Sequence, residues 1–131
     1  MKLRVLTPSE VILEQDVTHV TAEDPTGSLG IRPGHATLMT PLVPGIVIAR
    51  SESGSQRYVA VNGGVMLVDS NTVEIVSRQA VTGTNRAELE TKVVAGFEKD
   101  NDDDRANRAA FEKLRISFMR GVVELDMADR P

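Results

Sequence analysis

The 131-residue sequence predicts a β-plus-α fold: a β-sandwich or flattened barrel over residues 1–83, then an α-helical hairpin over residues 84–131. Three observations predict it. Five of the six prolines lie before residue 84, where they and Gly-, Asn- and Ser-containing clusters punctuate short β-branched runs. Residues 84–131 hold 20 of the 34 charged side chains and all three phenylalanines. In that back segment the apolar residues recur at three- and four-residue intervals, the spacing of one helix face.

The front is read strand by strand. Leu3 and Val5 alternate with Lys2 and Arg4, and Val11 and Leu13 with Glu10 and Glu14, as half-buried strands do. Further strands are expected over residues 17–22, 45–49, 57–61, 64–68 and 72–76. Several of these, Val59-Ala60-Val61 among them, are apolar at consecutive positions, which is expected where both faces of a sheet are covered. Turn chemistry separates them at Thr7-Pro8-Ser9, Ser53-Gly54-Ser55, Asn62-Gly63-Gly64 and Asp69-Ser70-Asn71. Short strands with such punctuation at roughly 8–12-residue spacing indicate a sandwich or barrel.

In the back, Thr84 or Asn85 can cap a helix from about Arg86 to Lys99, with Leu89, Val93 and Phe97 spaced by four. Asp100-Asn101-Asp102-Asp103-Asp104 reads as a turn whose last carboxylates suit a second helix N-terminus. In that second helix Phe111, Leu114, Phe118, Val122 and Leu125 form one narrow apolar stripe. Gly121 costs about 1 kcal/mol relative to alanine, so a kink or stop is expected there. Two helices alone bury too little to be stable, so this segment must dock on something.

Composition excludes several kinds of chemistry. A net charge of −4 argues against a nucleic-acid clamp, which needs a basic face to neutralise phosphates. The absence of cysteine removes disulfides, thiolate zinc sites and cysteine nucleophiles. No apolar run approaches the roughly 20 residues of a membrane helix, and Met1 to Pro8 lacks the apolar stretch of a signal peptide. A soluble protein is expected, one that meets a membrane only through partners.

Candidate reactive groups are sparse. His19 falls on an expected strand, where it fills or borders the core, and His35 lies in a loop without a serine–carboxylate pair. Gly27-Ser28-Leu29-Gly30 and Pro33-Gly34 lack the Gly-Lys-Ser/Thr ending of a phosphate-binding loop, so this stretch reads as a backbone-shaped loop offered to a protein partner. Asp100, Asp102 and Asp104 match the first ligands of a calcium loop. However, Arg105 stands where glycine is needed and Phe111 where the bidentate glutamate belongs. No metal and no cofactor are expected. Arg108 and Arg115 edge the apolar stripe with Arg105 further round, forming either a solvated face or a docking face for an acidic partner.

The segment Leu29-Gly30-Ile31-Arg32-Pro33-Gly34-His35-Ala36-Thr37-Leu38-Met39-Thr40, with Pro44-Gly45 beyond it, resembles the signature of the F-type ATP synthase epsilon subunit. That family's usual form is Leu-Gly-x-x-Pro-Gly-His-Ala-Pro-Leu-Leu-Thr. Val61-Asn62-Gly63-Gly64-Val65 and Asn71-Thr72-Val73 continue the resemblance, and the order of parts agrees along the whole chain. It implies a ten-stranded β-sandwich followed by a two-helix hairpin, in a non-catalytic rotor subunit that joins the gamma subunit to the membrane-embedded c-ring. Ser28, Leu29, Ile31, Arg32, Pro33, Gly34 and His35 are then candidates for the gamma and c-ring interface. The hairpin of such subunits can extend toward the beta subunits and block ATP hydrolysis, which makes Arg105, Arg108 and Arg115 candidates for contact with an acidic beta segment. The location implied is the cytoplasmic face of a bacterial plasma membrane, peripheral, within the complex.

This sequence also departs from the family pattern. Asp24-Pro25-Thr26 lengthens the loop before Gly27, and Thr37, Met39, Pro41 and Val43 replace residues commonly Pro, Leu, Ala and Lys. Some family members bind ATP through Ile/Leu-Asp-x-x-Arg-Ala at the hairpin entry. Here Arg86 and Ala87 match, while Gly83 replaces the aspartate and Thr82 the aliphatic residue. The differences suggest a divergent version of the kind found in alternative sodium- or proton-translocating synthases. The competing reading is a free-standing β-sandwich binding module, which gives no reason for the Pro-Gly-His-Ala loop. An enzyme would need convergent polar groups that the sequence does not offer.

Overall fold

The computed structural model describes the backbone of residues 1–128, and the side chains of residues 1–116 except Lys92 and Phe111. Its strands are β1 (Lys2–Leu6), β2 (Val11–Asp16), β3 (His19–Asp24), β4 (Gly27–Ile31), β5 (Leu38–Arg50), β6 (Gln56–Asp69), β7 (Thr72–Val76) and β8 (Ala80–Gly83). Hydrogen bonding runs in the order β2-β1-β7-β6-β5-β3-β4, with β8 also on β6, and the sheet does not close. All pairings are antiparallel except β1 with β7.

β5 and β6 form a long hairpin that serves two layers. Their ladder skips one step, between Leu42 opposite Gly64 and Pro44 opposite Asn62. Pro44 has no N–H to give, and Gly63 holds a positive φ of 68° there. Before the skip β5 continues the set β2-β1-β7-β6; after it β5 pairs with β3, while the early half of β6 takes β8. Counting each half separately gives two layers of five, matching the expected ten strands. One core lies between them, fed by Leu3, Val5, Met66, Val73 and Ile75 from the first layer and by Val20, Ile31, Val47, Val59 and Val61 from the second.

Two turns follow directly from their residues. Arg32-Pro33-Gly34-His35 places proline second and glycine third with φ of 82°, and the His35 N–H donates to the Arg32 carbonyl at 3.2 Å, a type II turn. Ser70 and Asn71 both hold positive φ, 47° and 63°, which is the primed turn that joins β6 to β7. Gly64 is required sterically: a Cβ on it would lie 2.0 Å from the Val76 carbonyl oxygen.

The helical region begins at α1 (Arg86–Glu88), capped as expected by Asn85, whose Oδ1 accepts from the Glu88 N–H at 3.1 Å. A π-helical turn follows over Leu89–Val94, then α2 over Ala95–Ala128. Leu89, Val94 and Phe97 are buried with Ala60, and Ile46, Tyr58 and Val93 flank them. The wider π turn puts the buried partner of Leu89 five residues on, at Val94, where a regular helix would use Val93. Because this stretch packs on β6, the first compact unit is Met1–Glu98 and the second begins at Lys99; the strands themselves end at Gly83.

Four expectations are corrected. Asn62-Gly63-Gly64, read as a turn between two strands, lies within β6 at the skipped ladder step, where β5 stays paired on either side. Residues Asp100–Asp104, read as a turn, are helical backbone inside α2, and the helix also passes Gly121. No Gly or Pro lies between Gly96 and Gly121, and aspartate disfavours a helix interior by well under 1 kcal/mol, too little to end one. Gly27–Ile31, read as a loop, is strand β4, because β3 pairs with it from Asp24 opposite Gly27 to Val20 opposite Ile31. Strand 17–22 begins two residues later, at His19. Of the second apolar stripe, Leu114 is 70% exposed, while the side chains of Phe111, Phe118, Val122 and Leu125 lie outside the described residues.

Candidate functional site

The outer face of the first layer carries the candidate site. Strand register sets Pro41 opposite Val65, Val65 opposite Val76, Val76 opposite Leu6, and Leu6 opposite Val11. The result is an apolar row crossing five strands. Val11, Val65 and Val76 are each more than 40% exposed, and beside the row Met39, 70% exposed, sits opposite Leu67. Large apolar side chains scattered singly on a surface need no explanation, but a row in register is a contiguous patch of the kind that marks a protein interface.

A charged strip borders that row. Arg4 stands opposite both Glu14 and Glu74, with its guanidinium 3.9 Å and 3.7 Å from their carboxylates, and Lys2 Nζ lies 2.7 Å from Glu14. The bonded Glu14 carboxylate raises the Lys2 pKa, and Lys2 in turn holds Glu14 below the usual carboxylate range. Paired charges of this kind add little stability at a surface. An apolar patch with a polar rim is the anatomy of a protein interface, and it offers nothing to small-molecule chemistry.

The expected interface segment is divided by the fold. Ser28 is exposed near one end of β4, and Arg32, Pro33, Gly34 and His35 are exposed beyond the other. The four steps from Ser28 to Arg32 span about 13 Å of strand. Between them Leu29 packs against the core, and Ile31, 1% exposed, is part of it and presents nothing to a partner. At the Ser28 end Asp24 closes the β3–β4 turn. It accepts from the Thr26 hydroxyl and N–H and from Thr40 Oγ1 on β5, and these bonds, the Thr26 hydroxyl foremost, hold its carboxyl below the ordinary range.

The remaining candidates lie elsewhere. Arg86 and Ala87 occupy the exposed first turn of α1, beside a cavity of about 350 Å³ lined by Thr82, Gly83, Asn85, Glu88 and Leu89 among others. Neither Arg86 nor Ala87 lines it, and its one ionisable lining residue, Glu88, is acidic. A Cβ on Gly83 would meet the Leu89 side chain at 3.0–3.1 Å, so Leu89 would have to give by a few tenths of an ångström. Arg105, Arg108 and Arg115 are exposed on α2, with Arg108 and Arg115 only about 20° apart around the axis. Arg105 pairs with Asp102 at 3.5 Å and Arg115 with Glu112 at 2.8 Å.

Sequence spacing does not reveal the apolar row. Its residues come from five strands, one of them joined in parallel, so no local spacing announces it. The available signal was the consecutive apolar run Val65-Met66-Leu67-Val68, in which alternate residues must face away from the core.

Comparison with known proteins gives a consistent picture. The family described as "ATP synthase, Delta/Epsilon chain, beta-sandwich domain" matches residues 1–83. The chain is similar to the ATP synthase epsilon chain 2 of Cereibacter sphaeroides, 33% identical over 88% of this chain and 80% of that one. It is also similar to a chain in the solved mitochondrial ATP synthase of Euglena gracilis, OSCP/F1/c-ring in rotational state 1. That similarity has a TM-score of 0.60 and 27% identity and covers 79% of this chain and 62% of that one. A chain of the Tetrahymena thermophila mitochondrial ATP synthase central stalk/c-ring structure shares the fold, with a TM-score of 0.55 and 24% identity over 70% of this chain and 71% of that one.

Proposed function

This chain belongs to the ATP synthase delta/epsilon chain family, and from that premise we propose how it acts as an epsilon subunit of the central stalk. The apolar row on the first layer docks on the gamma subunit. The exposed ends of β4, at Ser28 and at Arg32 to His35, meet gamma and the polar loops of the c-ring. The single observation that carries this reading is the row from Pro41 through Val65, Val76 and Leu6 to Val11, held in register on a stiff sheet. Torque transfer needs a rigid body with large interfaces and no reactive side chain, so the subunit acts without catalytic residues of its own. It sits peripherally on the cytoplasmic face of a bacterial plasma membrane, carried there by the complex; among the described residues no helix is long and apolar enough to cross a membrane.

Residues beyond Glu98 supply the regulatory part of the proposal. Arg105, Arg108 and Arg115 meet an acidic segment of the beta subunits and restrain ATP hydrolysis. Nucleotide sensing through Arg86 and Ala87 has no support from the neighbouring cavity, which lacks a cationic lining residue.

The experiment is co-purification with gamma. The native chain should bring gamma with it in near-equal amounts. The pair Val65→Asp and Leu67→Asp, both on exposed positions, should leave the chain folded and reduce recovered gamma at least tenfold. Undiminished recovery rejects this face as the interface. A native chain that brings no gamma favours the free-standing binding module.

A further inference from the structure

The outer face of the second layer carries a second cluster, which shares only Arg32 with the proposed gamma and c-ring contact. Arg50 on β5 stands opposite His19 on β3 and opposite Gln56 on β6. Val20 pairs with Ile31, so Arg32, the next residue along, continues the row on the far side of His19. These four residues, with Thr18 and Thr21, line a depression of about 370 Å³. No carboxylate lines it, and among the described residues neither Arg32 nor Arg50 is in an ion pair.

Two guanidinium groups on one face, in a chain of net charge −4 that sets no carboxylate in the depression between them, leave local positive charge that an anion can balance. The donors line one depression. Arg32 and Arg50 flank His19 at two strand spacings, about 9.6 Å apart at the backbone, within reach of one anion held between their side chains. Gly30 keeps the space under the His19 ring open, since a Cβ there would come within 3.2 Å of Cε1. The Tyr58 hydroxyl donates to Gln56 Oε1 at 2.9 Å, which leaves the Gln56 amide NH₂ free to point its donors elsewhere.

We propose that Arg32, Arg50, His19 and Gln56 form a binding site for a phosphate group. Guanidinium forks match phosphate oxygens in pairs, and two of them balance a dianion, which a single carboxylate does not require. The phosphate can be free, part of a nucleotide, or a lipid headgroup, since the recognising chemistry is shared.

The test follows the backbone amides of the full-length chain by NMR at low salt while inorganic phosphate is added. Saturable shifts confined to residues around His19, Arg32, Arg50 and Gln56 are expected. Arg32→Gln and Arg50→Gln, both at exposed positions that leave the core intact, should each weaken binding about tenfold. Arg57→Gln, an exposed arginine outside the depression, should leave it unchanged. Shifts that do not saturate, or that fall equally in the Arg57 variant, overturn the site. The same titration with ATP, and with phosphatidylglycerol vesicles, then identifies the source. Tighter binding of either, lost in the same two variants, assigns the nucleotide or the headgroup, and weaker binding of both assigns free phosphate.

Discussion

The two halves of β6 have similar sequences and different fates. Val59-Ala60-Val61 and Val65-Met66-Leu67-Val68 are both apolar at consecutive positions. In the early half both faces are covered: Val59 and Val61 enter the sandwich core, while Ala60 is sealed by Leu89, Val94 and Phe97. In the late half Met66 and Val68 enter the same core, but Val65 and Leu67 remain more than 40% exposed. A run apolar on both faces therefore records that a cover exists without saying who supplies it. In the early half the chain supplies its own; in the late half, the proposed supplier is gamma.

Several measurements break or sharpen that contrast. The largest effect is expected at the joint between the halves. Gly64→Ala drives a Cβ into the Val76 carbonyl at a φ of 116°, and a loss on the order of 4 kcal/mol or more should remove cooperative thermal unfolding by circular dichroism. A near-native melting curve would show that the joint relaxes, and the two halves would then be less rigidly coupled than described.

Truncation separates the self-supplied cover from the rest. A chain ending at Glu98 keeps Leu89, Val94 and Phe97 over Ala60 and should unfold in urea close to the full-length midpoint. One ending at Gly83 uncovers that face and should lose several kcal/mol. Equal midpoints for the two would mean the helical cover contributes nothing. In assembled ATP synthase the Glu98 truncation should raise ATP hydrolysis without preventing assembly, and unchanged hydrolysis would remove the proposed restraint by Arg105, Arg108 and Arg115.

A single side chain tests the same cover more gently. Phe97→Ala should cost about 3 kcal/mol, read as a lower urea midpoint, while Leu114→Ala, at a position 70% exposed, should leave the midpoint in place. The smallest effect is at Asp24. Its carboxyl is held below the ordinary range in the folded chain, so the unfolded chain takes up a proton first as pH falls. The stability it adds is fully present above about pH 5 and is lost as pH drops through the usual carboxylate value of about 3.9 and then the lower folded one. Relative to Asp24→Asn, the native chain should show a higher urea midpoint at pH 7, and the gap should narrow steadily as pH falls below about 4. A gap of the same size at pH 7 and below about pH 4 would assign the effect to something other than ionisation.

Much of the local structure was legible in the residues. Pro33-Gly34 specifies its type II turn, Ser70-Asn71 its primed turn and Asn85 its cap, because each depends on the conformational freedom or hydrogen bonding of one or two side chains. The aspartate run at 100–104 resembles a turn for a related reason: its composition is that of a turn, but without Gly or Pro nothing local stops the helix. The π turn at Leu89–Val94 was equally hidden, since it follows from fitting Leu89 beside Gly83 and Val94 over the sheet.

By itself, then, the sequence determined the turns at Pro33-Gly34 and Ser70-Asn71, the cap at Asn85 and which runs need burial on both faces. Those properties reside in steric limits, backbone donors and apolar periodicity over a few neighbouring residues. Only the tertiary structure decided that Pro41, Val65, Val76, Leu6 and Val11 share one row and that Arg32, His19 and Arg50 share another. Register between strands distant in the chain is set by the packing of a common core, and that packing brings together residues whose separation along the chain carries no trace of their contact.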